Sequence, residues 1–261
     1  MPSLYAHNRF GRQLLPGLPA DVRRPIQRCR NLYDMGLQGP DFFFYDSYLS
    51  RTPVVELGST LHNQTGLEFF LSCCSHVRQN PSEEALAYLY GLLAHYCLDS
   101  ICHPFVYDHT DRGGVIHSVL ETEFDRHLLL LDDVRHPHTH NVTGKLRLQQ
   151  KDFEAIASFY DGVTAERVRH CIRSMRVANG FLSSGEPLRY GVSAFLKLAS
   201  DNVRGMHMAK TPDPACAALM EPLMAHYIRA AEQFPEYLEQ LRDHLTYNAP
   251  LGDIFTATFN H

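Results

Sequence analysis

A long apolar segment that ends in polar residues most constrains how this chain can fold. Residues 85–94 read ALAYLYGLLA and lead directly into HYCLDSICHP. An apolar run of this kind, without alternation of polar and apolar residues, predicts a helix that is buried on most sides. His95, Asp99 and His103 follow at intervals of four, so they lie along one stripe of that helix. Imidazoles and carboxylates are common zinc ligands, and the alternative is a polar helix end that faces solvent.

Helical patterns dominate the remainder of the chain. Apolar residues recur at helical spacing in segments 19–36, 66–79, 81–100, 114–131, 150–160, 164–181, 186–206 and 214–245. Pro104 is expected to end the apolar helix, and Pro235 to kink or split the last helix. The segment 132–150 is expected to be irregular, with 140–150 as the best candidate for a strand. The sequence therefore predicts an all-α, multi-helix single domain over residues 1–261.

Composition argues against nucleic-acid binding. The net charge of −5 at pH 7 leaves no basic footprint of the kind that nucleic-acid binding usually requires, so we expect no stable nucleic-acid partner. A small phosphate-bearing substrate is still allowed, because bound metal ions would supply positive charge.

We expect a cytoplasmic protein without a membrane span. The first residues, MPSLYAHNRFGRQLL, lack the pattern of a signal peptide, and no apolar run approaches about 18 residues. Seven cysteines, of which Cys73 and Cys74 are adjacent, form no disulfide framework.

A second group of metal-ligand residues follows the Gly113-Gly114 break. HSVLETEFD places His117, Glu121 and Asp125 four residues apart on the next predicted helix. The first two make a natural pair of metal ligands, and Asp125 is suited to support the ligands from behind. An exposed helix face with local charge pairing is the alternative.

Three earlier fragments add candidate ligands on predicted loops. Asp41 lies in GPDFFFY, His62 lies in LGSTLHNQTG, and His7 lies in YAHNRFG. Each of them alone is more typical of surface or turn chemistry than of a metal site.

Taken in chain order, these residues resemble the pattern of the zinc-dependent phospholipase C family: His7, Asp41, His62, His95, Asp99, His103, His117 and Glu121. The superfamily includes single-strand-specific zinc nucleases and the catalytic domain of glycosylphosphatidylinositol-specific phospholipase D. The resemblance covers about residues 1–130 and is most specific in HYCLD, HP and HSVLE. GPDFFFY looks like the variant in bacterial cytoplasmic-type members. The helical half, residues 150–261, adds no motif that matches the family.

The resemblance implies an all-α fold with two or three zinc ions at the base of a cleft. One zinc ion would have four ligands: Asp41, His62, His95 and Asp99. A second would have three, with water completing the set: His103, His117 and Glu121. A third would have His7, a bridging Asp99 and the N-terminal amine and carbonyl, and removal of Met1 would make Pro2 that terminus. His109 is the alternative to His103, because exported phospholipases have a slightly longer spacer after the bridging aspartate.

Other groupings have simpler interpretations. The histidines of RHPHTH (His136, His138 and His140) are expected to lie in a polar loop. The aromatic run 42–45 is more typical of a core than of a lipid contact. Cys97 and Cys102 depart from the ligand stripe, so we interpret them as packing residues.

The expected function is zinc-dependent hydrolysis of a phosphate ester, most simply phospholipase C-type cleavage of a phospholipid or related phosphodiester by metal-activated water. Asp99 would bridge two ions, and Asp41 would orient or deprotonate the attacking water in addition to binding metal. The substrate would be a small phosphate ester or a lipid head group, with only transient contact to a membrane surface. The alternatives are a zinc nuclease or nucleotidase and a non-catalytic, zinc-stabilised helical domain that binds a partner.

Overall fold

The structure is a computed structural model that describes residues 4–47, 51–110, 114–184 and 205–260. The α-helices in these ranges are α1 (Leu4–Leu14), α2 (Ala20–Arg28), α3 (Arg30–Gly36), α4 (Pro53–Asn63), α5 (Gly66–Gln79), α6 (Glu83–Thr110), α7 (His117–Leu131), α8 (Gln150–Ala157), α9 (Ala165–Leu182) and α10 (Met220–Tyr247). Short 3₁₀ helices connect several of them, and no β-strand occurs within the described ranges. The prediction of an all-α fold is confirmed.

Helix α6 lies at the centre of the fold. Helices α1, α2, α3, α5 and α10 pack against it, and its residues from Ala87 to Asp99 are all buried. A helix that is buried on every face needs apolar residues all round, and ALAYLYGLLA supplies them. By length and composition α6 would also suit a membrane span, but 83% of its most apolar window is already buried inside the protein. The absence of a membrane span stays a prediction.

Two glycines allow α3 to approach α6 closely. A Cβ atom added to Gly36 would lie 2.8 Å from the Cα of Gly91, and the reverse substitution gives the same distance. A larger residue at either position would therefore push the two helices apart. This close crossing brings Leu37 and Gly39, which follow α3, next to His95 in the second half of α6.

Two prolines lie inside helices that continue past them. Helix α6 passes through Pro104 and ends at Thr110, so the prediction that Pro104 ends this helix is wrong. Helix α10 is not split at Pro235, and a kink there stays a prediction. A proline inside a helix costs about 3 kcal/mol, since one backbone hydrogen bond is lost. The buried Val106, two residues after Pro104, contributes about 1.5–3 kcal/mol in the opposite direction.

Other segments also differ from the prediction. The helix predicted over 19–36 is two helices, because Cys29 adopts a non-helical backbone conformation (φ −120°, ψ 46°) that separates α2 from α3. The strand candidate 140–150 contains a 3₁₀ helix, Val142–Lys145, so only the prediction of an irregular segment is confirmed. Most of the helix predicted over 186–206 lies outside the described residues.

One cluster of buried apolar residues extends from Leu4 to Phe259. After α10 the chain returns across α5 and α6, where Phe255 and Phe259 are fully buried. The assignment of the whole chain to a single domain stays a prediction.

Candidate metal centre

The second half of α6 supplies three buried polar side chains. His95, Asp99 and His103 are each at most 3% exposed, and their spacing of four places them on one stripe of the helix. The His95 Nε2 lies 3.1 Å from Asp99 Oδ2, and the His103 Nδ1 lies 3.6 Å from Asp99 Oδ1. Asp99 is therefore flanked by imidazoles along its own helix.

Helix α4 and a 3₁₀ helix add two further side chains beside His95. His62 lies on α4 and Asp41 lies on the 3₁₀ helix Gly39–Tyr45, so the prediction of loops is wrong for both residues. It is also wrong for His7, which lies on α1. The His62 Nε2 is 2.7 Å from Asp41 Oδ1, and the His95 Nε2 is 3.9 Å from the same oxygen. His95 thus lies between the two carboxylates Asp41 and Asp99.

Helices α1 and α7 complete the arrangement. From α1, the His7 Nε2 lies 3.2 Å from Asp99 Oδ1, and its ring stacks on His95 with centroids 4.2 Å apart. From α7, the Glu121 Oε1 lies 3.2 Å from His117 Nε2 and 3.3 Å from His103 Nε2. Since His117 and Glu121 are four residues apart on one helix, both reach the same space.

The eight side chains form three groups. In each group, one potential ligand atom per residue lies within 4.8 Å of the others. These are the His7 group (His7, His95, Asp99), the Asp41 group (Asp41, His62, His95) and the Glu121 group (His103, His117, Glu121). The grouping follows the resemblance closely, except that Asp99 clusters with His7 and His95 rather than with the Asp41 group. Of the two alternative histidines, His103 joins a group, whereas the His109 Nδ1 contacts the Phe105 carbonyl 2.8 Å away.

In three of the histidines, the ring nitrogen Nδ1 contacts a backbone carbonyl oxygen. The Nδ1 atoms of His62, His95 and His103 lie 2.6, 3.2 and 2.6 Å from their respective acceptors, the carbonyl oxygens of Gly58, Leu37 and Phe259. A histidine that donates its Nδ1–H in this way presents the lone pair of Nε2 to a metal ion. All three Nε2 atoms point towards the carboxylates of the groups. These acceptors were not predictable, because a backbone carbonyl has no signature in the sequence.

Several buried polar atoms in the groups lack a hydrogen bond, and zinc fits them. These atoms are His7 Nδ1, His95 Nε2, Asp99 Oδ2 and Glu121 Oε2. His95 Nε2 and Asp99 Oδ2 lie 3.1 Å apart, yet their geometry does not make a hydrogen bond. Two unpartnered acceptors that converge in a buried space are typical of metal ligands, since leaving such atoms unpaired is costly.

The backbone next to His95 also fits a preformed site. Gly39 adopts a positive φ of 53°, and a Cβ atom added there would overlap the His95 ring. Only glycine combines this backbone conformation with so close an approach. A cavity of about 30 Å³, lined in part by His7, Asp99, His103 and Glu121, lies between the groups. This volume can hold a water-sized occupant.

Asp99, His103 and Glu121 influence one another's pKa through the charge of His103. Burial alone would raise the pKa of Asp99, but the charges of His103, His95 and His7 hold it well below its usual range. Burial opposes ionisation of Glu121 too, yet His117 and His103 lower its pKa to about 2. Burial lowers the pKa of His103, whereas Asp99 and Glu121 raise it to about 9. In the metal-free protein His103 is therefore protonated at neutral pH between two ionised carboxylates.

We expect this proton to oppose zinc. The raised pKa of His103 stabilises the metal-free protein fully below about pH 6.5, and this stability is lost as the pH rises through about 9. Zinc must displace the proton, so its affinity for the Glu121 group should rise about tenfold per pH unit up to about pH 9. Competition titrations with a chelator and thermal melts at several pH values measure both trends. A zinc affinity that does not change with pH would contradict this account.

Asp125 supports His7 through helix α1. Its Oδ2 accepts a hydrogen bond from the backbone N–H of Tyr5 at 3.1 Å, and its Oδ1 accepts one from Ala6 at 2.8 Å. Backbone N–H groups at the start of a helix have no partner within the helix, and a carboxylate there also complements the helix dipole. The buried Asp125 thus fixes the end of α1 from which His7 projects.

Replacing Asp125 with alanine should destabilise the protein by about 1–2 kcal/mol, since two donors at the start of α1 lose their acceptor. Asp125→Asn keeps one acceptor oxygen and should have roughly half this effect. Urea unfolding measures the stability, and metal analysis should show weaker zinc binding in the His7 group. Unchanged stability of Asp125→Ala would exclude the proposed support of α1.

The remaining sequence interpretations concern residues outside the three groups. Phe42 and Phe43 are fully buried and Tyr45 is 4% exposed, so the interpretation of the aromatic run as core is confirmed for these three residues, whereas Phe44 is only partly buried. Cys97 and Cys102 are buried as packing residues, and all seven cysteines are free. His136, His138 and His140 belong to a loop around the 3₁₀ helix Pro137–Thr139 and do not join a described group.

Comparisons with known proteins identify the family. The sequence profile of a family described as zinc dependent phospholipase C matches residues 6–172, which is more than half of the chain. A search of curated proteins gives no match. A search of solved structures gives no match either. The matched range contains all three groups of metal-ligand residues. The chain therefore belongs to the zinc dependent phospholipase C family.

Proposed function

We propose that this protein is a zinc-dependent hydrolase of phosphate esters that performs phospholipase C-type cleavage of a phospholipid or a related phosphodiester. The convergence of three histidine–carboxylate groups on one buried site, within the range that matches the family, is the observation that supports the proposal. The ligands would be His7, Asp41, His62, His95, Asp99, His103, His117 and Glu121. Two or three zinc ions fit the three groups.

The side chains have distinct roles in this proposal. When bound, zinc lowers the pKa of a coordinated water to about 7 and neutralises charge on phosphoryl oxygens. Asp99 would bridge two ions, as its contacts with His7 and His95 suggest. The Asp41 Oδ1 lies 2.7 Å from the His62 Nε2, and Asp41 would orient or deprotonate the attacking water in addition to binding metal.

Substrate would enter beside the Glu121 group. Among the eight side chains, that of His117 is 23% exposed, whereas the others are buried. The phosphate and its leaving-group oxygen would therefore approach along His117, with Glu121 and His103 beneath it. The side chains of Asp41 and His62 lie deeper and would keep the attacking water away from bulk solvent.

A purely structural role for zinc is less consistent with this geometry. Structural zinc sites are closed by four protein ligands, whereas catalytic sites keep a position for water or substrate. Each group brings three side chains together, and one of the groups reaches solvent at His117. This arrangement favours catalysis over a scaffold.

Hydrolysis of bis-p-nitrophenyl phosphate tests the proposal directly. We expect activity in the zinc-loaded protein, loss of activity with a chelator, and recovery when zinc is restored. Phosphatidylcholine and single-stranded DNA are then compared as substrates, and release of the phosphorylated head group supports the phospholipase assignment. Preferential cleavage of the DNA would replace it with a nuclease, and full zinc occupancy without hydrolysis of any substrate would leave a non-catalytic zinc protein.

A further inference from the structure

The segment 252–260 contacts the metal centre, although it lies far outside the range that matches the family. The carbonyl oxygen of Phe259 lies 2.6 Å from the His103 Nδ1. The fully buried Phe259 ring also packs near two other imidazoles, with centroids 5.5 Å from His62 and 5.7 Å from His95. One residue of this segment thus touches histidines of both the Glu121 group and the Asp41 group.

Several independent contacts fix this segment in place. The backbone N–H of Gly66 donates to the carbonyl oxygen of Ala257 at 2.8 Å, and Thr65 and Thr258 form an isolated antiparallel bridge. The Tyr96 hydroxyl donates to the carbonyl oxygens of Ala257 at 2.9 Å and Ile254 at 3.2 Å. Thr65 caps α5 and Gly66 begins it, only two residues after the end of α4, so these bonds tie the segment to the turn next to the helix that carries His62.

The contact with His103 differs from those of the other ligands. The carbonyls that hold His62 and His95 belong to Gly58 and Leu37, which lie in the same half of the chain as the ligands. The carbonyl that holds His103 comes from a residue 156 positions later. The orientation of His103 therefore depends on the docking of the segment 252–260, which lies far from His103 in the sequence.

We propose that the segment 252–260 is a positioning element of the metal centre, in which Phe259 holds His103 in the orientation and tautomer that zinc binding requires. The Phe259 carbonyl keeps the proton on Nδ1, so that Nε2 faces Glu121. The Phe259 ring covers His62 and His95 and limits the rotation of their imidazoles. This inference rests on the zinc binding of the proposed function but not on its substrate.

The proposal requires a reciprocal effect of zinc on the segment. If the segment strengthens zinc binding by some factor, zinc must strengthen the docking of the segment by the same factor. Zinc removal should therefore loosen the segment in the intact protein. A segment that only fills the hydrophobic core would dock equally well with and without zinc.

Zinc affinity of two matched variants tests the role of Phe259. Phe255 and Phe259 are both fully buried in this segment, but Phe255 packs on Phe70, Tyr96 and Tyr237 and not on a ligand. We expect a variant that ends at Thr258, which lacks both the carbonyl and the ring of Phe259, to bind zinc about 10- to 100-fold more weakly. Phe259→Ala keeps the carbonyl and loses only the ring, so it should bind zinc about tenfold more weakly. Phe255→Ala should lose a comparable amount of Tm but keep zinc affinity within about threefold of wild type.

The absorption spectrum of the cobalt(II)-substituted protein reports the geometry of the metal ligands. A change in protein stability alone does not alter this spectrum. It should differ from wild type in Phe259→Ala and stay the same in Phe255→Ala. Wild-type zinc affinity in the variant that ends at Thr258, or equal losses of affinity in the two phenylalanine variants, would overturn the proposal.

Hydrogen exchange tests the same proposal in the wild-type protein, so the result does not depend on whether a variant folds. We expect chelation of zinc to speed exchange of the Gly66 amide and of residues 252–260, while amides of α2 change little. Unchanged exchange of the segment in a protein that demonstrably loses zinc would overturn the proposal. A wild-type protein that binds no zinc would instead contradict the proposed function, so the two failures are distinguishable.

Discussion

Replacement of Asp99 with alanine is expected to remove most of the bound zinc and all hydrolytic activity. The Asp99 carboxylate is buried, and its oxygens lie 3.1–3.6 Å from nitrogen atoms of His7, His95 and His103. No other carboxylate in the His7 group can replace it. Without it, the His7 group keeps the imidazoles of His7 and His95 but no carboxylate, and a divalent cation between them is strongly disfavoured. Metal analysis of the purified variant and hydrolysis of bis-p-nitrophenyl phosphate measure the two effects.

Asp108→Ala is the matched control for this result. Asp108 lies on the same helix but is exposed and belongs to none of the three groups. This variant should keep the zinc content, the activity and the Tm of the wild-type protein. Full zinc occupancy in Asp99→Ala would exclude a bridging role for Asp99, and loss of zinc in Asp108→Ala would show that the effect is not specific to the site.

Replacement of Arg126 with methionine should cause the largest loss of stability, about 3–5 kcal/mol. Arg126 and Glu123 form an ion pair with N–O distances of 2.7 and 3.1 Å, and their side chains are only 5% and 7% exposed. Arg126 also donates to the carbonyl oxygens of Ala209 and Lys210, so it ties α7 to the chain before α10. The methionine variant would leave the Glu123 carboxylate buried without a partner. Urea unfolding measures the free energy of unfolding.

Two further variants test whether the loss of stability arises from the buried, unpaired Glu123 charge rather than from the loss of an ion pair as such. The double variant Glu123→Gln/Arg126→Met removes both charges and should recover a large part of the lost stability. Arg30→Met breaks a partly exposed pair with Asp34 on α3, in which the two side chains are 40% and 20% exposed, and should cost less than about 1 kcal/mol. Equal losses for Arg126→Met and Arg30→Met would contradict the account of a buried ion pair.

The fold class was predictable because apolar residues recur at helical spacing in most segments of the chain. The central position of α6 follows from ALAYLYGLLA, which cannot be covered unless several helices surround it. The ends of helices were less predictable, because local rules for proline compete with tertiary burial. At Pro104 the helix continues to the buried Val106 despite the lost hydrogen bond, and at Cys29 the chain turns without a glycine or proline at that position.

The candidate site was predictable where ligands share a helix. The spacing of four in His95, Asp99 and His103, and in His117 and Glu121, predicts shared faces that the structure reproduces. For His7, Asp41 and His62 the residues alone gave only weak signals, and the family resemblance supplied the grouping. Their role as zinc ligands stays a prediction.

The contacts that orient the ligands were not predictable from the spacing of residues in the sequence. The carbonyls of Leu37, Gly58 and Phe259 act through the backbone, which any residue type supplies. Asp125 was expected behind the ligands, but the sequence did not indicate that its partners are the backbone amides of α1. Such contacts depend on how distant segments meet, which pairwise spacing within a helix does not encode.

The most direct test of the account is anomalous diffraction at the zinc absorption edge from crystals of the purified protein. The account predicts at least two zinc peaks, one inside the Glu121 group within bonding distance of His103, His117 and Glu121, and one shared by His95 and its neighbouring carboxylates. Zinc peaks only elsewhere on the protein, or a fully zinc-supplied protein with no peak in any of the three groups, would contradict it.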